Sequence, residues 1–432
     1  MTKTKSYSER ARTAKLGVCS RQLELALLAA LPVAEASGGS MVALSRPDPA
    51  KAFALRAGDG RLAISRAIQG VAGGSFPSEA AVSIAPLLGT VRRLRADGVQ
   101  TIRFEVVMPA GVDAPSEVRL LGRDGGATAL PCAIPAVTLF DRRDAALVAL
   151  DAIDATVNPP FLASALARTL KANDAIEVEE RRGRVRIALD GEALGVAALA
   201  GPAAFFEAFP VERLQAPLAR PWLVIPEALG SALAASLACA RPDRFRAIFR
   251  RRDGDAPGGR AESLELSANM TTSWTVASSA SEGTPDADPI RDFIDSARAG
   301  WSGRVQRRHL IDAVERAAIA ARRGLGPAPV ELTLADLENL AFLAVGDSGA
   351  RFEGRIPILA NSLTRSPDAS AVRVASGRLQ AALEFLSGSE ASVLSVRLPR
   401  ANGGPLSLVS GGGPYGIQSA AIVSGEKSPW NL

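Results

Sequence analysis

Gly377-Arg378-Leu379-Gln380-Ala381-Ala382-Leu383-Glu384-Phe385-Leu386 is followed by Val393-Leu394-Ser395-Val396-Arg397-Leu398. Pro405-Leu406-Ser407-Leu408-Val409 and Ile417-Gln418-Ser419-Ala420-Ala421-Ile422-Val423 come next. The first segment places its apolar residues at helical spacing, and the other three alternate like strands. Ser376 to Val423 therefore reads as a short helix followed by three strands. A unit of this size cannot close a core alone, so its recurrence implies copies packed side by side.

The pattern recurs upstream. A fifth copy has a short strand near Arg304, a helix over Arg307 to Arg322, and strands at Val330–Leu334, Leu340–Val345 and Arg351–Ile358. A fourth has a strand at Trp222–Ile225, a helix over Pro226 to Ala240, and strands at Arg246–Arg250, Ser263–Ala268 and Trp274–Ala277. In the third, Asn158 caps a helix over Pro159 to Lys171, and strands follow at Ala175–Glu179, Arg184–Leu189 and Leu194–Leu199. The second has Ala81–Ile84, a helix over Pro86 to Ala96 with proline in its first turn, and strands at Thr101–Val107, Glu117–Leu121 and Ala127–Ile134. In the first, Lys15–Cys19 leads into a helix from Ser20, an apt N-cap, to about Ala34. Ala52–Ala57 and Arg61–Ile68 then flank Gly58-Asp59-Gly60, a hairpin signal.

Six copies pair into three domains, giving an α+β fold in which each domain holds two helix-plus-antiparallel-sheet half-repeats. The expected division is a polar tail at 1–13, domains at 14–135, 153–280 and 301–424, linkers at 136–152 and 281–300, and a C-terminal tail at 425–432.

The 432 residues suit roughly three domains of ordinary size. Hydrophobic residues at 47% suffice for real cores, and 22% charged residues argue against a membrane or disordered protein. No apolar run reaches the ~18 residues needed to span a bilayer. Fifty basic against 45 acidic residues leave the chain mildly basic, so the placement of arginines matters more than their sum. Cys19, Cys132 and Cys239 lie far apart, an odd count without C-x-x-C spacing, which suits a reducing, cytoplasmic compartment.

An enzymatic constellation is not found. The only histidine, His309, sits at the start of a helix in Arg307-Arg308-His309-Leu310 and reads as solvated or structural. With one histidine and scattered cysteines, a metal site is not expected, and no cofactor is implied. Gly70–Gly74 and Gly411–Gly413 lack the lysine and the strand-to-helix context of phosphate-binding loops and read as turns. Gly201 to Pro210 clusters Phe205, Phe206 and Phe209, read as the plug of a domain interface or, in a sharper version, a partner surface. Leu25–Leu31 ahead of Ala34-Glu35-Ala36 also has the outline of a secretory leader, the basis for an alternative secreted β-rich protein.

Six helix-plus-sheet units in three domains resemble the bacterial DNA polymerase processivity factor, the polymerase III beta sliding clamp. The likeness is best over residues 301–424. There Ala350-Arg351-Phe352-Glu353-Gly354-Arg355-Ile356-Pro357-Ile358 is similar to the strand joining the halves of a clamp domain, and Gln418 to Val423 to its closing strand. The chain is basic where members are usually acidic. Its ending, Ser-Gly-Glu-Lys-Ser-Pro-Trp-Asn-Leu, is not the short Met/Pro/Leu-rich tail of the family, and the Gly-His-Arg-Leu-like segment of the second domain is missing. A divergent or specialised relative fits better than the housekeeping protein.

The resemblance implies a head-to-tail ring of two chains, with sheets outside and helices lining a hole that encircles double-stranded DNA. The helices carry basic residues at or near their ends: Arg21; Arg92, Arg93 and Arg95; Arg168 and Lys171; Arg241 and Arg244; Arg307, Arg308, Arg316, Arg322 and Arg323; and Arg378. Converging on a bore, they would hold phosphates without reading bases. Taken singly, each better suits a solvated residue complementing a helix dipole, and only the set as a whole weighs evenly toward the bore. The resemblance also implies DNA polymerase and clamp-loader-like partners docking at an apolar pocket, to which Ile422, Val423, Trp430 and Leu432 would contribute. A scaffold that keeps the architecture but has lost DNA loading is the other expectation.

Overall fold

The computed structural model describes residues 12–109, 114–133, 151–157, 159–175, 183–190, 193–200, 203–213, 221–240, 245–251, 260–268, 271–278, 301–321, 329–336, 338–345, 351–360, 362, 371–387, 391–399, 404–411 and 418–423. Six helices lie among them: α1 (Ser20–Ala36), α2 (Ile84–Ala96), α3 (Pro159–Asp174), α4 (Glu227–Ala240), α5 (Arg307–Ala321) and α6 (Ser376–Ser387). Around the first two run β1 (Arg12–Cys19), β2 (Met41–Arg46), β3 (Phe53–Gly58), β4 (Leu62–Ile68), β5 (Ala72–Gly73), β6 (Phe76–Ser83), β7 (Thr101–Met108), β8 (Glu117–Leu121) and β9 (Ala127–Pro131). Around the next two run β10 (Asp151–Val157), β11 (Arg184–Asp190), β12 (Ala193–Ala200), β13 (Ala203–Pro210), β14 (Glu212–Arg213), β15 (Trp222–Pro226), β16 (Phe245–Arg251), β17 (Ser263–Ala268) and β18 (Thr272–Ala277). The last two are framed by β19 (Trp301–Gln306), β20 (Pro329–Leu334), β21 (Asn339–Val345), β22 (Arg351–Pro357), β23 (Val372–Ala375), β24 (Val393–Leu398), β25 (Leu406–Ser410) and β26 (Gln418–Val423).

Each helix is preceded by one strand and followed by others; the leading strands of the third and sixth copies, β10 and β23, are not expected from the sequence, and β10 begins inside the expected 136–152 linker. The leading strand does not pair within its own copy. β1, ahead of α1, pairs along its whole length with β7, which follows α2, while β6, ahead of α2, pairs with β2, which follows α1. The same exchange joins β10 to β16 and β15 to β11, then β19 to β24 and β23 to β20. All these pairings are antiparallel, so the copies are coupled two by two.

The residues group into two compact units. The first, Met1–Ala163 with Ala232–Asp255 and Ala261–Ser278, holds a sheet ordered β5-β1-β7-β8-β9 and a second containing β10-β16-β17-β18-β4-β3-β2-β6. Helix α1 seals it, burying Leu23, Ala26, Leu27, Ala30, Val33 and Ala34. Each fully buried Leu or Val contributes roughly 1.5–3 kcal/mol. Phe53 packs edge-on to Phe76 and tilted against Phe104. Deeper in, the Trp274 indole N–H donates to Ser236 Oγ at 2.7 Å, and the Ser236 hydroxyl donates to the Ala29 carbonyl of α1 at 2.5 Å.

The second unit, Ser164–Ser231, Ala256–Arg260 and Ser279–Leu432, holds an eight-stranded sheet ordered β15-β11-β12-β13-β26-β25-β24-β19 and a four-stranded sheet ordered β22-β21-β20-β23. Its core gathers Trp301, Leu310, Phe342, Leu379, Leu386, Leu394 and Val423.

Several local expectations need correction. Ser20 is not the N-cap of α1; that position is Cys19, and no side chain caps the helix. Ser20 lies inside the helix and is buried, its backbone N–H donating to the Gln100 carbonyl at 2.9 Å. Helix α2 begins before Pro86, because the Ser40 carbonyl accepts the Ile84 N–H at 3.0 Å and starts the turn early. The 201–210 cluster contains a paired strand: β13 lies between β12 and β26, with Phe205 and Phe209 buried. Gly70–Gly74 contains β5, paired to β1. Leu25–Leu31 lies within helix α1, as its helix reading expects, with Ala34 in the core. Asn158, the Glu177–Glu179 part of one expected strand, 136–150 and 281–300 lie outside the described residues.

Candidate nucleic-acid interface

The basic residues singled out by sequence divide into distinct groups. Arg21 is exposed in the first turn of α1. On α2, Arg92, Arg93 and Arg95 are all exposed, and Arg93 and Arg95 occupy the last turn, where they complement the helix dipole. Glu24 of α1 draws two of them in: Arg92 Nε lies 3.3 Å from one carboxylate oxygen, and Arg95 pairs with the other. Both side chains remain partly in solvent, at 55% and 40% exposure, so the α1–α2 pair carries four exposed arginines, Arg21 included, against Glu24 and Glu35. Lys171 is exposed in the last turn of α3.

Arg168 does something else. Its Nη2 donates to Glu207 Oε2 at 2.8 Å, and the Glu207 side chain is only 2% exposed. Burial pushes the Glu207 carboxyl upward, and the Arg168 charge and hydrogen bond pull it back down. Glu207 sits on β13 opposite Ser419 of β26. Arg168 is thus spent on a buried carboxylate in the sheet rather than displayed for phosphates.

Arg307 also turns inward. Its Nη1 donates to the Leu386 and Ser387 carbonyls at 3.4 and 3.3 Å, satisfying the open end of α6. Arg308 and Arg316 on the same helix are exposed. The first turn of α5 opens on a cleft of about 710 Å³ lined by Gln306, Arg307, Arg308, His309, Ile311 and Ser392. His309 is half-buried at the cleft, and its Nδ1 is buried without a hydrogen-bond partner. Arg378 is half-buried on α6. Arg241, Arg244, Arg322 and Arg323 lie outside the described residues.

The apolar candidates separate as well. Ile422 and Val423 are buried in β26, at 1% and 0% exposure, and offer no docking surface in this chain. Trp430 and Leu432 lie outside the described residues. One arginine that sequence reasoning passed over is Arg46, buried at 5% exposure with its guanidinium on backbone carbonyls. A lone Arg at a strand end carries no signal of this. Among the described residues, no three His, Cys, Asp or Glu side chains are grouped to hold a metal ion, and no helix is long and apolar enough to cross a membrane.

Strand-helix-strand copies, coupled by exchanged leading strands into antiparallel sheets, define a sliding-clamp fold. The chain is similar in structure to the Bacillus subtilis DNA polymerase sliding clamp, with 13% identity, a TM-score of 0.63, and coverage of 96% of this chain and 100% of that one. The DNA polymerase III beta subunit of Thermotoga maritima gives 10% identity and 0.63 over the same shares. The beta subunit from the DNA polymerase of Streptococcus pyogenes gives 13% and 0.62, again over 96% and 100%. No family model matches the sequence, and no curated protein matches it. The fold class expected from the repeat count is the fold observed.

Proposed function

We propose that this chain is a non-enzymatic, cytoplasmic DNA clamp, or a specialised relative of one. Two copies, each of three domains, would form a ring around duplex DNA, hold it without sequence specificity, and tether a polymerase or repair factor. The observation that carries this reading is the fold likeness along nearly the whole chain to solved sliding clamps.

Two further features support it. The exposed members of the basic set, Arg21, Arg92, Arg93, Arg95, Lys171, Arg308 and Arg316, all lie on helices, Arg92 and Arg95 being the two drawn toward Glu24. Among the described residues, each unit also ends a sheet in a strand with no neighbour on its outer side. β9 terminates the five-stranded sheet with Ala127, Thr128 and Ala129 exposed, and β22 terminates the four-stranded sheet with Arg351, Glu353 and Arg355 exposed. Pairing of β9 in one copy with β22 in another is heterologous, and closes into a ring if the rotation per chain is a half-turn.

The test is retention on DNA. Loaded on a nicked circle, the protein should stay bound through moderate salt and run off once the circle is cut. Retention that ignores linearisation would sink the topological mechanism and leave a clamp-fold scaffold. Replacing Arg93, Lys171, Arg308 and Arg316 with glutamine should lower affinity about equally for all sequences, and reduce the salt slope by roughly 0.9 for each phosphate no longer neutralised. An unchanged slope would remove these residues from the DNA-facing surface.

A further inference from the structure

Arg46 ends β2 and is buried. A guanidinium has five N–H donors, and a buried one is costly unless they are satisfied. Here Nε donates to the Lys51 carbonyl at 3.2 Å. Nη1 donates to those of Gly73 and Gly74 at 3.3 and 3.2 Å, and Nη2 to those of Pro49 and Val71 at 2.7 and 3.4 Å. All five donors go to backbone, and all five acceptors lie in the two segments 49–51 and 71–74. The side chain has the geometry of a clasp that fixes a piece of main chain in place.

What the clasp fixes lies on a sheet edge. Ala72 and Gly73 form β5, which pairs with Gly17 and Leu16 of β1, and the Gly74 N–H donates to the Lys15 carbonyl at 2.9 Å. The other side of β1 pairs with β7 over all eight residues. Without β5, β1 would be a continuous eight-residue edge, a template for any strand that meets it. β5 sits at its middle and leaves only short stretches on either side. The sequence commits to this cover. Gly73 has φ +96°, and a Cβ there would lie 3.2 Å from the Lys15 carbonyl oxygen and 3.3 Å from Leu16 Cα, so only glycine fits closely. Lys15, exposed on β1 and paired with Glu105, is a second device that blunts this edge.

We propose that Arg46 and the Gly70–Gly74 segment form an edge guard. The clasp blocks the β1 side of the five-stranded sheet, so that a second copy of this chain can add a strand only on the β9 side. Self-association thereby acquires a polarity: one edge of the sheet is offered and the other is refused. This rests on the ring reading only for the identity of the β9 partner; the refusal at β1 stands separately.

The experiment compares the full chain with Arg46→Met and Gly73→Val, the latter serving if the former fails to fold. Amide hydrogen exchange of the 12–19 peptide reports whether the guard is released, and sedimentation over a range of protein concentrations reports mass. Released variants should exchange roughly tenfold faster at β1, the scale of one broken backbone hydrogen bond. They should also form species larger than wild type whose share grows with concentration. Faster exchange with wild-type mass at every concentration overturns the guard, and unchanged exchange in both folded variants overturns the clasp. A wild type that is monomeric throughout, with self-associating variants, would retain the guard and remove the ring.

Discussion

Replacing Arg168 with alanine should destabilise the second unit by about 3 kcal/mol, because it strands a carboxylate inside the protein. The Glu207 side chain is 2% exposed and that of Arg168 is 35% exposed. Breaking a buried pair by removing one partner costs about 3–5 kcal/mol, and the lower end applies because water can follow the shortened side chain in. Glu207→Gln is the asymmetric control. Its amide oxygen can still accept from Arg168, and the guanidinium can otherwise turn to solvent, so the cost should be about 1 kcal/mol. Acidity adds a second signature. Burial raises the folded-state pKa of Glu207, so between the unfolded value and that raised value the folded state binds more protons, and stability falls as pH rises. Arg168→Ala removes the main opposing influence, so its deficit should grow from acid to neutral pH, whereas Glu207→Gln should flatten the slope. Urea unfolding followed by tryptophan fluorescence at several pH values measures both. Equal losses for the two single variants, or an Arg168→Ala deficit that shrinks toward neutrality, would refute the buried-pair account.

Three other expectations concern local structure. Gly58 has φ +108°, and a Cβ would fall 2.1 Å from the Leu62 carbonyl oxygen, so Gly58→Ala should cost more than the ~1 kcal/mol typical of a point substitution and lower the melting temperature. Ser236→Ala removes the Ser236 acceptor of the Trp274 indole N–H and a hydrogen bond to α1, for a loss of about 1–3 kcal/mol seen in denaturant midpoints, while Ser236→Thr should be milder. Burial, with a contribution from Glu117, pushes the Cys132 thiol up to about 11. Alkylation of the native protein at pH 8, followed by mass spectrometry, should therefore modify Cys132 on the order of 100-fold more slowly than a thiol of ordinary acidity.

The repeat was legible because the helices carry apolar residues at helical spacing, bounded by strand-like alternation, and counting copies yielded the fold. What stayed hidden was hidden for physical reasons. β13 lies in the middle of an eight-stranded sheet with both neighbours paired, so Ala203-Ala204-Phe205-Phe206 does not alternate cleanly and resembles an aromatic cluster. β2 buries Val42, Ala43 and Leu44 in succession and offers no period to read. Arginines at helix ends look alike in one dimension. Whether such a residue meets solvent, as Arg93 does, a buried carboxylate, as Arg168 does, or the carbonyl end of another helix, as Arg307 does, depends on partners far away in sequence. Strand exchange was likewise invisible, since each copy contains all the elements of a self-contained unit.

That exchange governs how the chain comes off the ribosome. β1 cannot find β7 until about ninety further residues have been made. β4 waits for β18 to complete its second ladder, and β13 keeps one side bare until β26, roughly two hundred residues later, slides in between it and β25. Translation at about 5–20 residues per second leaves that side of the apolar strand, with Phe205 and Phe209, without its partner for on the order of ten seconds or more. A nascent chain with such a delay is a natural client for chaperones that hold extended apolar segments, and shortening the wait by permuting the chain to begin near β26 should raise its soluble yield.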